Sequence, residues 1–193
     1  MSVANTAIKI CSRASLLIGG EAISSFTDGT SEAIVCDAMY EDTARAALTN
    51  TRWRFATNQS ILSRLVAPPT GRFSAAYQLP SGILMLNAIT VNDHPIKYDT
   101  YGDKAYADAS DTDVLIADYI YRADEADWPP YFTIAVEYMV AGILATSVAR
   151  DATLSQMMEQ KALLYMTQAR RLESQQQTTR KLNTSRFVAQ RRS

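Results

Sequence analysis

Two pairs of helix-patterned segments stand at the ends of this chain, and a turn-dense stretch that no helix can cross separates them. In the first pair, Val3, Ala7, Ile10, Ala14 and Leu17 repeat at helical spacing, and Ile8, Cys11 and Ile18 widen the stripe. Gly19-Gly20 stops this helix. The link from Glu21 to Gly29 carries Ile23 and Phe26 as core plugs. Thr30 or Ser31 caps a second helix whose face runs Cys36, Tyr40, Ala44, Ala47 and Leu48, ending near Asn50. In the second pair, a helix from Tyr131 to about Arg150 carries Phe132, Val136, Met139 and Ile143 with Val140, Leu144 and Val148. Asp151 or Thr153 caps the last helix, in which Leu154, Met158, Ala162, Tyr165, Ala169 and Leu172 share a face. Faces this wide need partners, so the two distant pairs must pack together.

Between them the texture changes. Trp53-Arg54-Phe55-Ala56 sets two large aromatics beside a helix end, where they seal a core. Ala67-Pro68-Pro69-Thr70-Gly71 then breaks any regular element. Phe73–Leu79, Leu84–Val91, Pro95–Tyr98, Lys104–Ala107 and Val114–Tyr121 are short, alternating or apolar, and separated by turn residues. They read as a small antiparallel meander. Trp128-Pro129-Pro130 closes it and starts the third helix with a proline in the first turn. The expected fold is therefore mainly α. It is a bundle of about four helices with a small antiparallel β excursion at about 73–121 and a flexible C-terminal tail. The expected units are 1–173 and 174–193.

The net charge is −1, but it is unevenly spread. From Asp93 to Asp127 the chain is acidic, with only Lys97, Lys104 and Arg122 in opposition. From Ser174 onward there is no acid, and Arg180, Lys181, Arg186, Arg191 and Arg192 surround a single aromatic, Phe187. A segment with so little to bury cannot offset its own ordering entropy. It predicts a basic tail that is unstructured alone, and two readings stay open on the residues: an arm that orders on a partner, or a frayed terminus. An acidic body with such a tail suits docking on an acidic neighbour, or contact between copies. Most of the acidic run reads as solvated surface.

The residues exclude most chemistry. His94 is the only histidine, in the turn Asn92-Asp93-His94-Pro95, with no second ligand beside it. Cys11 and Cys36 fall on apolar helical faces without metal-ligand spacing, which predicts buried free thiols in a reducing compartment. Gly19-Gly20 precedes no Lys-Ser or Lys-Thr, so no phosphate loop is present, and there is no nucleophile elbow. The Asp-rich turns lack the order of a calcium loop. No cofactor, metal or catalytic residue is expected, and the chain reads as a non-enzyme. A basic N-terminal region with an apolar run is absent and no stretch is apolar enough to span a bilayer, so neither a secretory signal nor a membrane partner is expected. Two other classes stay open on the residues alone. One is a carboxylate-dependent glycan hydrolase. The other is a small nucleic-acid-binding accessory protein using the tail.

The order of landmarks resembles a known family. Leu17-Ile18-Gly19-Gly20 leads to Ile23-Ser24-Ser25-Phe26, a helix from Ser31, Arg45 and Leu48, and then Trp53-Arg54-Phe55-Ala56. Tyr77-Gln78-Leu79-Pro80 enters the sheet, and Tyr119-Ile120-Tyr121-Arg122 with Trp128-Pro129-Pro130-Tyr131-Phe132 leads into the long helices. From about Ala4 to Arg171 this looks like the head-to-tail adaptors of short-tailed bacteriophages, also called tail tubular protein A. The resemblance implies an adaptor domain over 1–173 that forms a ring, usually of twelve copies, between the portal above and the tail nozzle below. Genomic DNA would pass through without specific binding. It also implies a C-terminal segment that reaches the portal. The residues expected there are Arg180, Lys181, Arg186, Phe187, Arg191 and Arg192. The implied location is the head–tail connector of a virion assembled in the host cytoplasm.

Overall fold

A computed structural model describes residues 5–67, 69 and 71–176. Helix α1 (Ala7–Leu17) starts at Thr6, whose hydroxyl accepts from the Lys9 amide. It ends where Gly19 takes a φ of +80° and the Gly20 amide returns to the Ser15 carbonyl. Both glycines are needed. The first adopts a left-handed conformation, and a Cβ on the second would lie 2.6 Å from Ser15 Oγ. Helix α2 (Ser31–Thr49) is capped by Thr30, not Ser31.

Helix α3 (Pro130–Ser147) begins with proline in its first turn, and α4 (Ala152–Gln175) is capped by Asp151, whose Oδ1 accepts from the amides of Thr153 and Leu154. The four helices thus stand close to the segments their patterns mark. Helix α3 is the hub. Tyr131, Tyr138 and Gly142 face α4, through the Glu173 carboxylate, a stacked Tyr165 ring at 4.9 Å and Glu159. Val140, Ile143 and Leu144, on roughly the opposite side, meet Val35, Cys36 and Met39 of α2. Trp53 is fully buried, and Phe132 gathers the rings of Trp53, Phe55 and Trp128 at 4.9–5.0 Å. The indoles donate to the carbonyls of Ala47 and Ala123, so neither N–H is stranded.

The expectation of a mainly α protein is wrong. Of the described residues, 46% are helical and 22% lie in strands, forming two antiparallel four-stranded sheets, so the fold is α+β. The strands are β1 (Thr57–Ile61), β2 (Ser63–Arg64), β3 (Ala75–Gln78), β4 (Ile83–Val91), β5 (His94–Pro95), β6 (Tyr98–Tyr101), β7 (Lys104–Ala107) and β8 (Leu115–Tyr121). One sheet has the order β1-β8-β4-β5 and the other β2-β3-β7-β6, which is not a meander. Segment 57–64 runs along one sheet edge as β1, bends at Leu62, and continues along the other sheet as β2. Segment 94–101 does the same as β5 and β6. The two sheets are therefore joined along both edges by continuous segments.

The sheets enclose their own core. Ala75, Tyr77, Ala105 and Ala107 from one face Ile89, Leu115, Ala117 and Tyr119 from the other, with Leu62 at the bend. This unit is a second layer of the protein and not an excursion. The missed strands explain the error. Thr57-Asn58-Gln59-Ser60 is polar because it runs along an edge with much of its surface in water, so it shows no apolar alternation. Strand β8 couples the two layers. Leu115, Ala117 and Tyr119 line the sheet core, whereas Ile120 enters the helical core and the Tyr121 hydroxyl donates to the Phe55 carbonyl at 3.2 Å.

Candidate functional site

The tail residues expected to bind a partner, Arg180, Lys181, Arg186, Phe187, Arg191 and Arg192, lie outside the described residues. The base from which the tail departs is within them. Helix α4 continues to Gln175, two residues past the expected boundary at 173. Its last turn is fastened by Glu173, only 4% exposed. One carboxylate oxygen accepts from the Arg54 amide and the other from the Tyr131 hydroxyl, both at 2.6 Å. The Arg54 guanidinium donates to the Gln176 carbonyl, and Arg170 donates to the Asn50 side chain. Burial, then the Glu173 carboxylate, pushes the Tyr131 hydroxyl up to about 12. The tail root is thus pinned beside the aromatic cluster.

This corrects the reading of the last helix. Its buried face runs Ser155, Met158, Ala162, Met166, Ala169 and Glu173, and Leu172 is 43% exposed. An acid on the apolar stripe was the signal that sequence reasoning passed over. Leu17 is likewise exposed at the end of α1.

A second buried carboxylate, Glu137 on α3, accepts from Arg13 Nε at 2.5 Å. The same guanidinium donates to Asn5 Oδ1, and Asn5 donates to Thr133. Burial holds Glu137 above the usual carboxyl range, and Arg13 opposes this only in part. A third ionic group joins the layers. Arg122, just after β8, pairs with Glu41 of α2 at 3.1 Å and with Glu125 at 2.5 Å, and lies 5.4 Å from the Trp128 ring centroid. Glu125 also accepts from Tyr40, whose hydroxyl is pushed up by burial first and by this carboxylate second. Both Glu137 and Glu173 are engaged by donors of the fold.

The acidic run is not gathered into one site. Asp99 pairs with Arg72, Asp111 with Arg64 and Asp118 with Arg52. Asp108 and Asp113 accept backbone amides from Ser74 and Ser110. These acids brace turns and strands, Asp118 from the middle of β8. His94 is exposed at the start of β5, after a two-residue turn in which Asn92 and Asp93 both take positive φ. Its Nδ1 lies 2.9 Å from the Asn92 carbonyl. Cys11 and Cys36 are buried free thiols, and a hydrogen bond with Cys36, together with burial, holds Cys11 well above the usual thiol range. Among the described residues, no group of three or more His, Cys, Asp or Glu is placed to hold a metal ion. No described helix is long and apolar enough to cross a membrane. No protein-family model matches this chain, and no curated protein matches it.

Proposed function

We propose that this chain is a structural subunit of a phage virion, not an enzyme. Its copies form a ring that joins the portal to the tail nozzle and continues the DNA channel. The observation that carries this reading is the ordered run of landmarks from about Ala4 to Arg171 that resembles the head-to-tail adaptors. Those landmarks occupy joints of the fold. Gly19-Gly20 ends α1, and Trp53, Phe55, Trp128 and Phe132 form one aromatic cluster. Tyr77-Gln78-Leu79 meets Asp103 where β3 ends, through the Leu79 amide and the Gln78 side chain. The ring has twelve copies by the same resemblance, and it is built into the virion in the host cytoplasm.

On this reading the tail is the portal contact. Arg180, Lys181, Arg186, Arg191 and Arg192 steer docking onto acidic portal surface, and Phe187 anchors it in an apolar pocket. The test is co-sedimentation of portal with full-length chain, chain lacking residues 177–193, and Phe187→Ala. The truncated chain should lose stable attachment while keeping its fold, because α4 is fastened before the cut. Phe187→Ala should weaken attachment more than any single arginine change, since exposed charges are individually worth little. Equal binding by the truncated and full-length chains would overturn the assignment of the tail. Electron micrographs of the portal mixture without rings would overturn the adaptor reading.

A further inference from the structure

Helix α4 packs along α3 on one side only, and its far side carries large apolar residues in water. Leu163 is 70% exposed, Leu164 56% and Met157 44%. Met157 and Leu164 lie seven residues apart, on one stripe with Gln160 and Arg171, and Leu163 and Leu172 flank it. Helix α2 has a matching unpartnered face. Ile34, Ala38, Asp42 and Ala46 recur every fourth residue and all are exposed, with Ile34 60% open. The two faces point away from each other, because α2 and α4 sit on roughly opposite sides of α3.

Their charges are opposite. The α2 face is bordered by Asp37 and Asp42, both exposed, and its one arginine, Arg45, is held by Glu41. The α4 face carries exposed Arg171 on its stripe and, at its edge, exposed Arg170, which also donates to Asn50, against one exposed acid, Glu159.

We infer that the outer face of α4 in one copy seats on the outer face of α2 in the next, with Leu163, Leu164 and Met157 against Ile34, Ala38 and Ala46. The occupant of each face is a second copy of this chain. The contact is head-to-tail: it joins two different surfaces on opposite flanks, so it repeats around a ring instead of closing as a dimer. This rests on the ring reading above and assigns that ring its lateral interface. Small exposed apolar patches are ordinary, but two on opposite flanks with opposite borders are self-complementary.

The experiment uses the full chain, with Leu164→Asp spoiling one face and Ile34→Asp spoiling the other. Both positions are exposed, so each variant should melt like the wild type. Sedimentation velocity over a concentration series, with micrographs of the wild type, reads assembly. Each variant alone should lose ring formation, its self-association weakened at least about tenfold. Mixed, they should form a one-to-one dimer and stop, since each still offers the face the other lacks. If both variants assemble as the wild type does, the interface is elsewhere: the inference is overturned and the ring reading stands. If each fails alone and the mixture stays monomeric, another segment, such as residues 177–193, covers one face, and the inference is overturned again. A wild type that never assembles, alone or on portal, overturns both.

Discussion

Arg150 turns the corner between α3 and α4 with a φ of +53°. A side chain there meets its own backbone, a strain of roughly 1–2 kcal/mol that glycine escapes. The residue is exposed and no other described contact requires its side chain. Arg150→Gly should therefore raise stability by about 1 kcal/mol, after the extra freedom of the unfolded glycine is subtracted. An unchanged or lower thermal midpoint would show that the corner is not strained. Arg13 behaves in the opposite way. Glu137 is held above its ordinary carboxyl range, so the folded state prefers it protonated. That contribution is complete below the unfolded carboxyl value and is lost as pH rises through the higher folded value. In Arg13→Ala the opposing guanidinium is gone and the folded value rises further. The variant should lose about 2 kcal/mol at neutral pH and much less near pH 4. Urea melts at the two pH values test this, and an equal loss at both would show that Glu137 does not carry the effect.

Helix α4 is tied down at each end by side chains that pattern reading assigns to solvent. At its start Ser155 donates to the Gly142 carbonyl at 3.0 Å and accepts from Thr146, and a Cβ on Gly142 would press on Glu159 at 3.2 Å. At its end Glu173 gathers the Arg54 amide and the Tyr131 hydroxyl. Glu173→Ala leaves both donors without their partner in a partly buried place and should cost about 1–2 kcal/mol. Truncation after Gln176 should cost nothing measurable, whereas truncation after Leu172 should cost at least as much as Glu173→Ala. Thermal melts of the three chains decide the matter. If both truncations melt alike, the Glu173 contacts do not fasten the helix. The same latch holds the backbone of Arg54, between Trp53 and Phe55 of the aromatic cluster.

The two cores should unfold as one. Strand β8 puts Leu115, Ala117 and Tyr119 into the sheet core and Ile120 into the helical core, and the Arg122 ion pairs tie its end to α2. Both tryptophans lie in the helical core, so indole fluorescence reports on that layer alone. Ile89→Ala opens a hole in the sheet core, where Ile89 is fully buried, and should cost about 2–4 kcal/mol. If the layers are coupled, the fluorescence midpoint moves with the circular-dichroism midpoint. A fluorescence midpoint that stays put would mean two separately folding layers.

The helices were legible because each rests on an apolar stripe and a local stop. Thr30, Asp151, Pro130 and Gly19-Gly20 act within a turn of themselves, and no distant contact overrides them. The turns of the sheet layer were legible for the same reason, as Asn92-Asp93 and Gly102 with their positive φ show. The fold class was not legible. Segment 57–64 is a strand only because β8 and β3 offer hydrogen bonds to it, and its polar side chains report the water on its outer side. The same holds for the last turn of α4. Periodicity alone puts Leu172 inward, yet the donors brought from Arg54 and Tyr131 turn Glu173 in and leave the leucine outside. Which acids brace the fold was equally hidden, because Glu137, Asp118 and Glu125 find partners far away in the chain. Local geometry can be written in neighbouring residues. Pairing across the fold cannot, since it depends on which distant groups the packing of α3 and β8 brings within reach.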